Sequence, residues 1–363
     1  MLQGLIFSSM RRRDLTRTLL ITVASALFGV LYGIVLSEGI TFGLLNGLLN
    51  GIAIGLLDTL WVRKRRGRRL RRLPLLSYTL ILTAIWVLII IANMALVRHL
   101  LGLEHDLNLH WIWNQAFLRH LLFCLSMAFT FNLLLRTTAF LGTRSLLDIL
   151  LGRFQEPRER QLAFLFLDVV GSTRLTERIG NTRTQTLIGD LFFDVAGLVE
   201  RYGGEVHRYI GDAMVVTWSL DQGGRMPDIL GCLLAIYDLI ERQRRQSEPS
   251  LGAWVDLRAG INAGPVVVSE IGDLKRELVY FGDAINVAAG LQAHCKAVGA
   301  RALIAHDLYR RLRQPDRLYA QTIDCIRLKG KRTPTASLGL FTTRPSTPTT
   351  HKSRVLPHPL RSR

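Results

Sequence analysis

Apolar residues in the first third of the chain come in long blocks. In the second half they come in short strips between amphipathic stretches. Four blocks stand out, Leu19–Leu36, Phe42–Trp61, Leu75–Val97 and Trp113–Leu135. Each approaches the roughly 20 residues that cross about 30 Å of hydrocarbon as a helix. The second carries Gly43, Gly47, Gly51 and Gly55, a small-residue stripe at every fourth position. That spacing lets helix backbones approach closely, and packing within this chain is expected over a dimer seam. Asn46, Asn50 and Asn132 lie in the blocks and predict hydrogen bonds between helices.

From Leu162 the pattern changes. Leu162–Leu167 reads as a buried strand, and helical patterns cover 173–179 and 183–201, the second ended by Gly203-Gly204. Glu205–Ile210 and Ala213–Ser219 form a predicted hairpin through Gly211-Asp212. A helix over 226–246 follows. Val255–Asn262 and Pro265–Ile271 read as another strand pair, turning at Ala263-Gly264. Glu277–Tyr280 is a short strand, Asp283–Val298 a helix and Leu303–Ala305 a strand. A helix over 306–313 and strands over 317–328 and 336–342 complete the set. The expected architecture is a four-span helical transmembrane bundle (1–136), an amphipathic connector (137–160) and an α+β domain (161–341). Its helices are expected on one face of a mostly antiparallel sheet. The tail, 342–363, is rich in Thr, Pro and Ser and is expected to be disordered.

Charge sharpens this picture. The net charge is +18, and sixteen of those charges sit in three places. They are the N-terminal arm (Arg11, Arg12, Arg13 and Arg17 against Asp14), the cluster at 61–72, and the tail. A nucleic-acid face spreads basic residues over a folded domain, so no nucleic-acid partner is expected. Basic residues flanking apolar blocks mark a lipid bilayer. They place the N terminus, the 61–74 loop and everything after Arg136 in the cytoplasm, as in a multi-pass protein of the inner (plasma) membrane. Ala24-Ser25-Ala26 lies inside the first block, so no cleavable signal is expected. Cys124, Cys232, Cys295 and Cys325 lack metal-ligand spacing and are expected to be buried free thiols. His99, His105, His110 and His120 gather around the third loop. They could form a ligand set but show no compelling helical spacing, and solvated histidines are expected.

The chemistry concentrates at two aspartates. Asp168 ends an apolar strand and precedes Val169-Val170-Gly171-Ser172-Thr173. A carboxylate there can hold a hard cation while backbone N–H groups at the helix start face phosphate oxygens. Asp212 sits at a hairpin tip, where a carboxylate can reach the same sheet edge. Taken singly, Asp168 also reads as a helix cap and Asp212 as a turn residue.

Three segments carry a resemblance. FLFLDVVGSTRLTERIG, GGEVHRYIGDAMVVTW and GINAGPVVVSEIGDLKRELVYFGDAINVAAGLQ together resemble the class III nucleotidyl cyclase catalytic domain, in order and spacing, over about 160–341. The membrane half and connector also resemble bacterial four-span members. The resemblance implies a ferredoxin-like α+β core and a head-to-tail homodimer with sites at the interface. It implies two Mg²⁺ or Mn²⁺ ions per site on Asp168 and Asp212. The Val169, Val170, Gly171, Ser172 and Thr173 backbone would hold the triphosphate. Asn286 would come from the partner subunit to orient the ribose, and Lys329, in RLKGK, would contact phosphate. Three positions depart from the pattern. Arg208 and Val279 occupy the base-selecting positions and match neither the adenine-type nor the guanine-type pair. Gly290 stands where the family has an arginine that stabilises the transition state.

Two readings follow. The first is a membrane-anchored adenylate cyclase making cyclic AMP from ATP, slowed by Gly290, with GTP as the alternative substrate. The second is a nucleotide-binding regulatory module without turnover.

Overall fold

A computed structural model describes residues 12–37, 39–59, 73–101, 121–126, 128–130, 132–133, 156–220, 226–251, 254–272, 277–326 and 334–342. The chain divides into two compact units, Met1–Leu147 and Asp148–Arg363. The division falls inside the expected connector.

The first unit contains α1 (Arg12–Val35), α2 (Ile40–Leu57) and α3 (Leu75–Leu100). All three are long and apolar enough to cross a membrane. A shorter apolar helix runs over Leu121–Thr130, within the fourth block. Most of that block, the basic cluster at 61–72 and three of the four loop histidines lie outside the described residues.

The glycine stripe is used within the chain. A Cβ on Gly43 would strike Gly29 O, and one on Gly47 would lie 2.8 Å from Ala26 Cα. A Cβ on Gly51 would lie 3.0 Å from Ser25 Cβ. Hydrogen side chains therefore let α1 and α2 touch backbone to backbone. Among the described residues, Asn50 alone of the three asparagines joins two helices, where its Oδ1 accepts from Asn93 Nδ2 at 2.7 Å. Asn46 Nδ2 donates to Phe42 O at 3.1 Å and Asn132 Nδ2 to Ala128 O at 3.0 Å, each one turn back on its own helix. A short amide side chain reaches the i−4 carbonyl without a partner helix, so the bonds described for both stay within their own helices.

The second unit is built on an eight-stranded sheet. Its elements, in order, are β1 (Arg158–Val169), α4 (Ser172–Ile179), α5 (Asn181–Arg201), β2 (Glu205–Ile210), β3 (Ala213–Ser219) and α6 (Ile229–Leu251). They continue as β4 (Leu257–Ile271), β5 (Glu277–Phe281), α7 (Asp283–Val298), β6 (Ala302–Ala305), α8 (His306–Arg311), β7 (Tyr319–Ile326) and β8 (Thr335–Phe341). The sheet runs β2-β3-β1-β4-β6-β8-β7, with β5 paired to the far end of β4. Only β4–β6 is parallel; the other pairs are antiparallel.

Two expectations change. The Ala263-Gly264 turn does not exist, because β4 is one continuous strand whose residues 257–268 pair with β1 without interruption. Gly264 has no positive φ, and ladder partners on β1 hold it extended. The helices also do not share one face. Leu165 and Leu167 pack with Leu191 and Val195 of α5 and Ile236 of α6. On the alternate positions, Leu162 and Phe164 pack with Ala284 and Ala288 of α7. β1 is apolar on both faces, so both faces need cover. Cys232 and Cys295 are buried free thiols, as expected, and burial pushes the pKa of both up to about 12.

Candidate active site

Asp168 lies one residue from the end of β1, opposite Ala213 of β3 and Arg258 of β4. Directly opposed residues share a face of a sheet, so Arg258 rises beside Asp168. The chain leaving β1 is pinned to both neighbours. Val169 N–H donates to Asp212 O at 3.3 Å, and Val170 N–H to Asp256 O at 2.9 Å. The hairpin tip bearing Asp212 is thereby held against the end of β1, and the two aspartates sense each other's charge. Burial, then the Asp212 carboxylate, raise the Asp168 pKa. A hydrogen bond from Gln292 and the Arg258 cation pull it back. Gln292 Nε2, on α7, donates to Asp168 Oδ2 at 3.0 Å.

Gly171 follows at φ 68°, a left-handed conformation that glycine adopts without strain. It turns the chain directly into α4, whose first ladder bond runs from Leu175 N–H to Gly171 O at 3.0 Å. The N–H groups of Ser172, Thr173 and Arg174 precede that ladder and suit an anion. Among the described residues no group of three or more His, Cys, Asp or Glu side chains could hold a metal alone. Two hard carboxylate ligands beside an anion-ready turn suit a cation that shares its coordination with phosphate oxygens.

The other expected residues are placed unequally. Arg208 on β2 forms an ion pair with Glu277 on β5. Val279, the expected partner, is half-buried and pairs with Ser269 in the β4–β5 ladder. Asn286 is exposed on α7, six residues before Gln292. That is about 9 Å along the axis and about 240° around it, so Asn286 and the Asp168-bonded Gln292 face different ways. Lys329 lies outside the described residues. Sequence reasoning misses Arg258, Gln292 and Glu277. Arg258 follows from the β1–β4 register, whereas the other two depend on tertiary packing.

The model of the adenylate and guanylate cyclase catalytic domain family matches residues 154–338, just over half of the chain. Among curated proteins, "Adenylate cyclase 2" of Rhizobium meliloti is 37% identical over 206 residues, covering 57% of each chain. "Adenylate cyclase" of Anabaena cylindrica is 25% identical, over 47% of this chain and 35% of its own. The matched segment thus spans 57% and 35% of these relatives' lengths. The solved adenylyl cyclase CyaB from P. aeruginosa aligns at 22% identity with a TM-score of 0.47, over 52% of this chain and 97% of that one. With more than half of its length matched by the family model, the chain belongs to the adenylate and guanylate cyclase catalytic domain family.

Proposed function

We propose that this chain is a membrane-anchored adenylate cyclase that converts ATP to cyclic AMP and pyrophosphate. The observation that carries the reading is the meeting of Asp168 and Asp212 at one sheet edge, beside the Gly171 turn. The residues fit a pair of divalent cations, Mg²⁺ or Mn²⁺, which when bound supply acidity to the ribose 3′-hydroxyl and charge neutralisation to the triphosphate. Asp168 and Asp212 would hold them, and Gln292 orients the Asp168 carboxylate. The backbone from Val169 to Thr173 cradles the triphosphate, with Arg258 adding positive charge beside it. The 3′-hydroxyl gives its proton to solvent water, and the 3′-oxygen attacks the α-phosphorus in line. The bond from that phosphorus to the pyrophosphate oxygen breaks, and pyrophosphate leaves with the electron pair.

Two relatives named adenylate cyclases favour ATP over GTP. Arg208 and Glu277 offer a guanidinium and a carboxylate to the base edge, with Glu277 supplying the acid that Val279 lacks. The exposed Asn286 suits a head-to-tail homodimer in which each chain completes its partner's site. The exposed Tyr209, Ile210 and Phe281 give that contact an apolar component. α1, α2 and α3, together with a fourth span in the block that holds the shorter helix Leu121–Thr130, anchor the chain in the cell membrane with both termini and the catalytic unit cytoplasmic.

Gly290 favours the second reading, a nucleotide-binding module without turnover. One assay decides between them. The full chain in lipid nanodiscs is incubated with ATP or GTP and Mn²⁺, and cyclic product is measured by mass spectrometry. Cyclic AMP well above an Asp212→Asn control is expected, and product no higher than that control would sink the enzyme reading.

A further inference from the structure

The chain leaving β1 spends two N–H groups before the Gly171 turn begins. Val169 N–H goes to Asp212 O, and Val170 N–H goes to Asp256 O. A triphosphate is left the N–H groups from Ser172 to Arg174, and their aim depends on where Asp256 O is held. Asp256 directly precedes β4, and its side chain is tied down. Asp256 Oδ1 accepts from Leu257 N–H at 2.8 Å and from Arg301 Nη2 at 2.6 Å. Arg301, just before β6, is itself clamped. Its Nη1 lies 3.5 Å from Glu241 Oε1 on α6, and its guanidinium carbon lies 4.3 Å from the centre of the Tyr237 ring. Arg301 O accepts from Tyr237 Oη at 3.0 Å and from Ala259 N–H of β4 at 2.9 Å. The Arg301 and Asp256 side chains are 28% and 32% exposed, so water screens the pair only in part.

We infer that the Arg301–Asp256 pair positions the phosphate-binding turn, resting on the triphosphate binding that both readings above share. Arg301 holds the Asp256 carboxylate, Asp256 O holds Val170 N–H, and Val170 sets the aim of the N–H groups that follow Gly171. Arg301 is a positioning residue, acting through Asp256 and not on the nucleotide. Its fork is committed to two carboxylates and its flat face to a ring, which leaves it little freedom to move. A fixed guanidinium fixes the carbonyl two bonds away, and a misplacement of about 1 Å in such a support can cost about 10² in rate. The pair also neutralises the Asp256 carboxylate, which would otherwise stand unpaired beside a polyanion.

Inorganic triphosphate with Mn²⁺, titrated calorimetrically into the full chain in lipid nanodiscs, reads the turn without any turnover. Arg301→Met is expected to weaken binding about tenfold. Arg301→Lys, which keeps a cation beside Asp256 but loses the fork, is expected to bind within about threefold of the unaltered chain. Arg317→Met is the control. Arg317 also ties a loop to α6 through an ion pair, to Asp238 at 3.0 and 3.2 Å, with no described bond to the chain leaving β1. Its loss should leave binding unchanged. Repulsion by a stranded Asp256 carboxylate is separated from positioning by combining Arg301→Met with Asp256→Asn. That double variant is expected to stay roughly fivefold weak or weaker, and it keeps the test open if Arg301→Met alone fails to fold. Three results would each overturn the inference: Arg301→Met binding as well as the unaltered chain, full recovery in the double variant, or an equal loss in Arg317→Met. Absence of triphosphate binding by the unaltered chain would instead overturn both nucleotide readings, and the positioning role with them.

Discussion

Gly290 is where the residue scale matters most. It stands one turn beyond Asn286 on α7, where the resemblance places a guanidinium. Arginine fingers in other phosphoryl-transfer enzymes are worth about 10³–10⁵ in rate. Gly290→Arg is therefore expected to raise turnover tenfold or more in the nanodisc assay. An unchanged rate would mean that another cation, with Arg258 beside Asp168 as the candidate, already fills the role. A second residue sets a pH dependence. His207 lies against Tyr280, ring centres 4.4 Å apart. Burial and then the Arg208 charge lower its pKa from 6.5 to about 4, with Glu277 opposing. The unfolded chain takes up this proton below pH 6.5, while the folded chain resists until about pH 4. Stability that is complete above 6.5 is thus lost as pH falls through that window. His207→Phe should flatten the change in unfolding midpoint between pH 7 and pH 5. Equal slopes in both proteins would show that other groups govern it. Asp168 and Asp212 are legible in the sequence because strand ends and hairpin tips are local signals. Glu277 is not, since it lies 69 residues from Arg208 and meets it only through the β4–β5 hairpin.

At the scale of elements, local pattern is most readable where the chain turns with positive φ. Gly211 has φ 59° and makes the β2–β3 hairpin, whereas Ala263-Gly264 looks similar in sequence yet stays extended. The difference comes from the partner strand: β1 pairs with β4 without a break from Val169 back to Arg158, and no local rule reports that. β4 also carries the contact that positions α7. A Cβ on Gly260 would strike Ala288 O and lie 2.7 Å from Gln292 Cβ. Asn262 Nδ2 donates to Ala284 O at 3.1 Å, fixing the helix start. Gly260→Ala is expected to push α7 off the sheet, destabilise the unit by roughly 1–3 kcal/mol and disturb the Gln292–Asp168 bond. Activity should fall more than the loss of folded protein explains, as read from turnover per folded chain. Turnover per folded chain equal to that of the unaltered protein would argue that α7 tolerates the shift.

The whole molecule joins a helical bundle to a catalytic unit, and the segregation of charge along the chain makes that division legible from sequence alone. Span count is less legible, because the fourth apolar block lies mostly outside the described residues. Shared sites make a prediction at this scale. Asp168→Ala and Asn286→Ala chains should each be inactive, while an equal mixture recovers roughly a quarter of normal activity, since half of a two-fold dimer population is mixed and each mixed pair has one intact site. No recovery on mixing would argue that each chain works alone. The glycine seam between α1 and α2 has a mechanical consequence. With backbone against backbone around Gly29, Gly43 and Gly47, neither helix can slide past or roll against the other there without backbone collision. The pair behaves as one stiff lever, and any movement the bundle makes must occur at the seams around it, where side chains can repack.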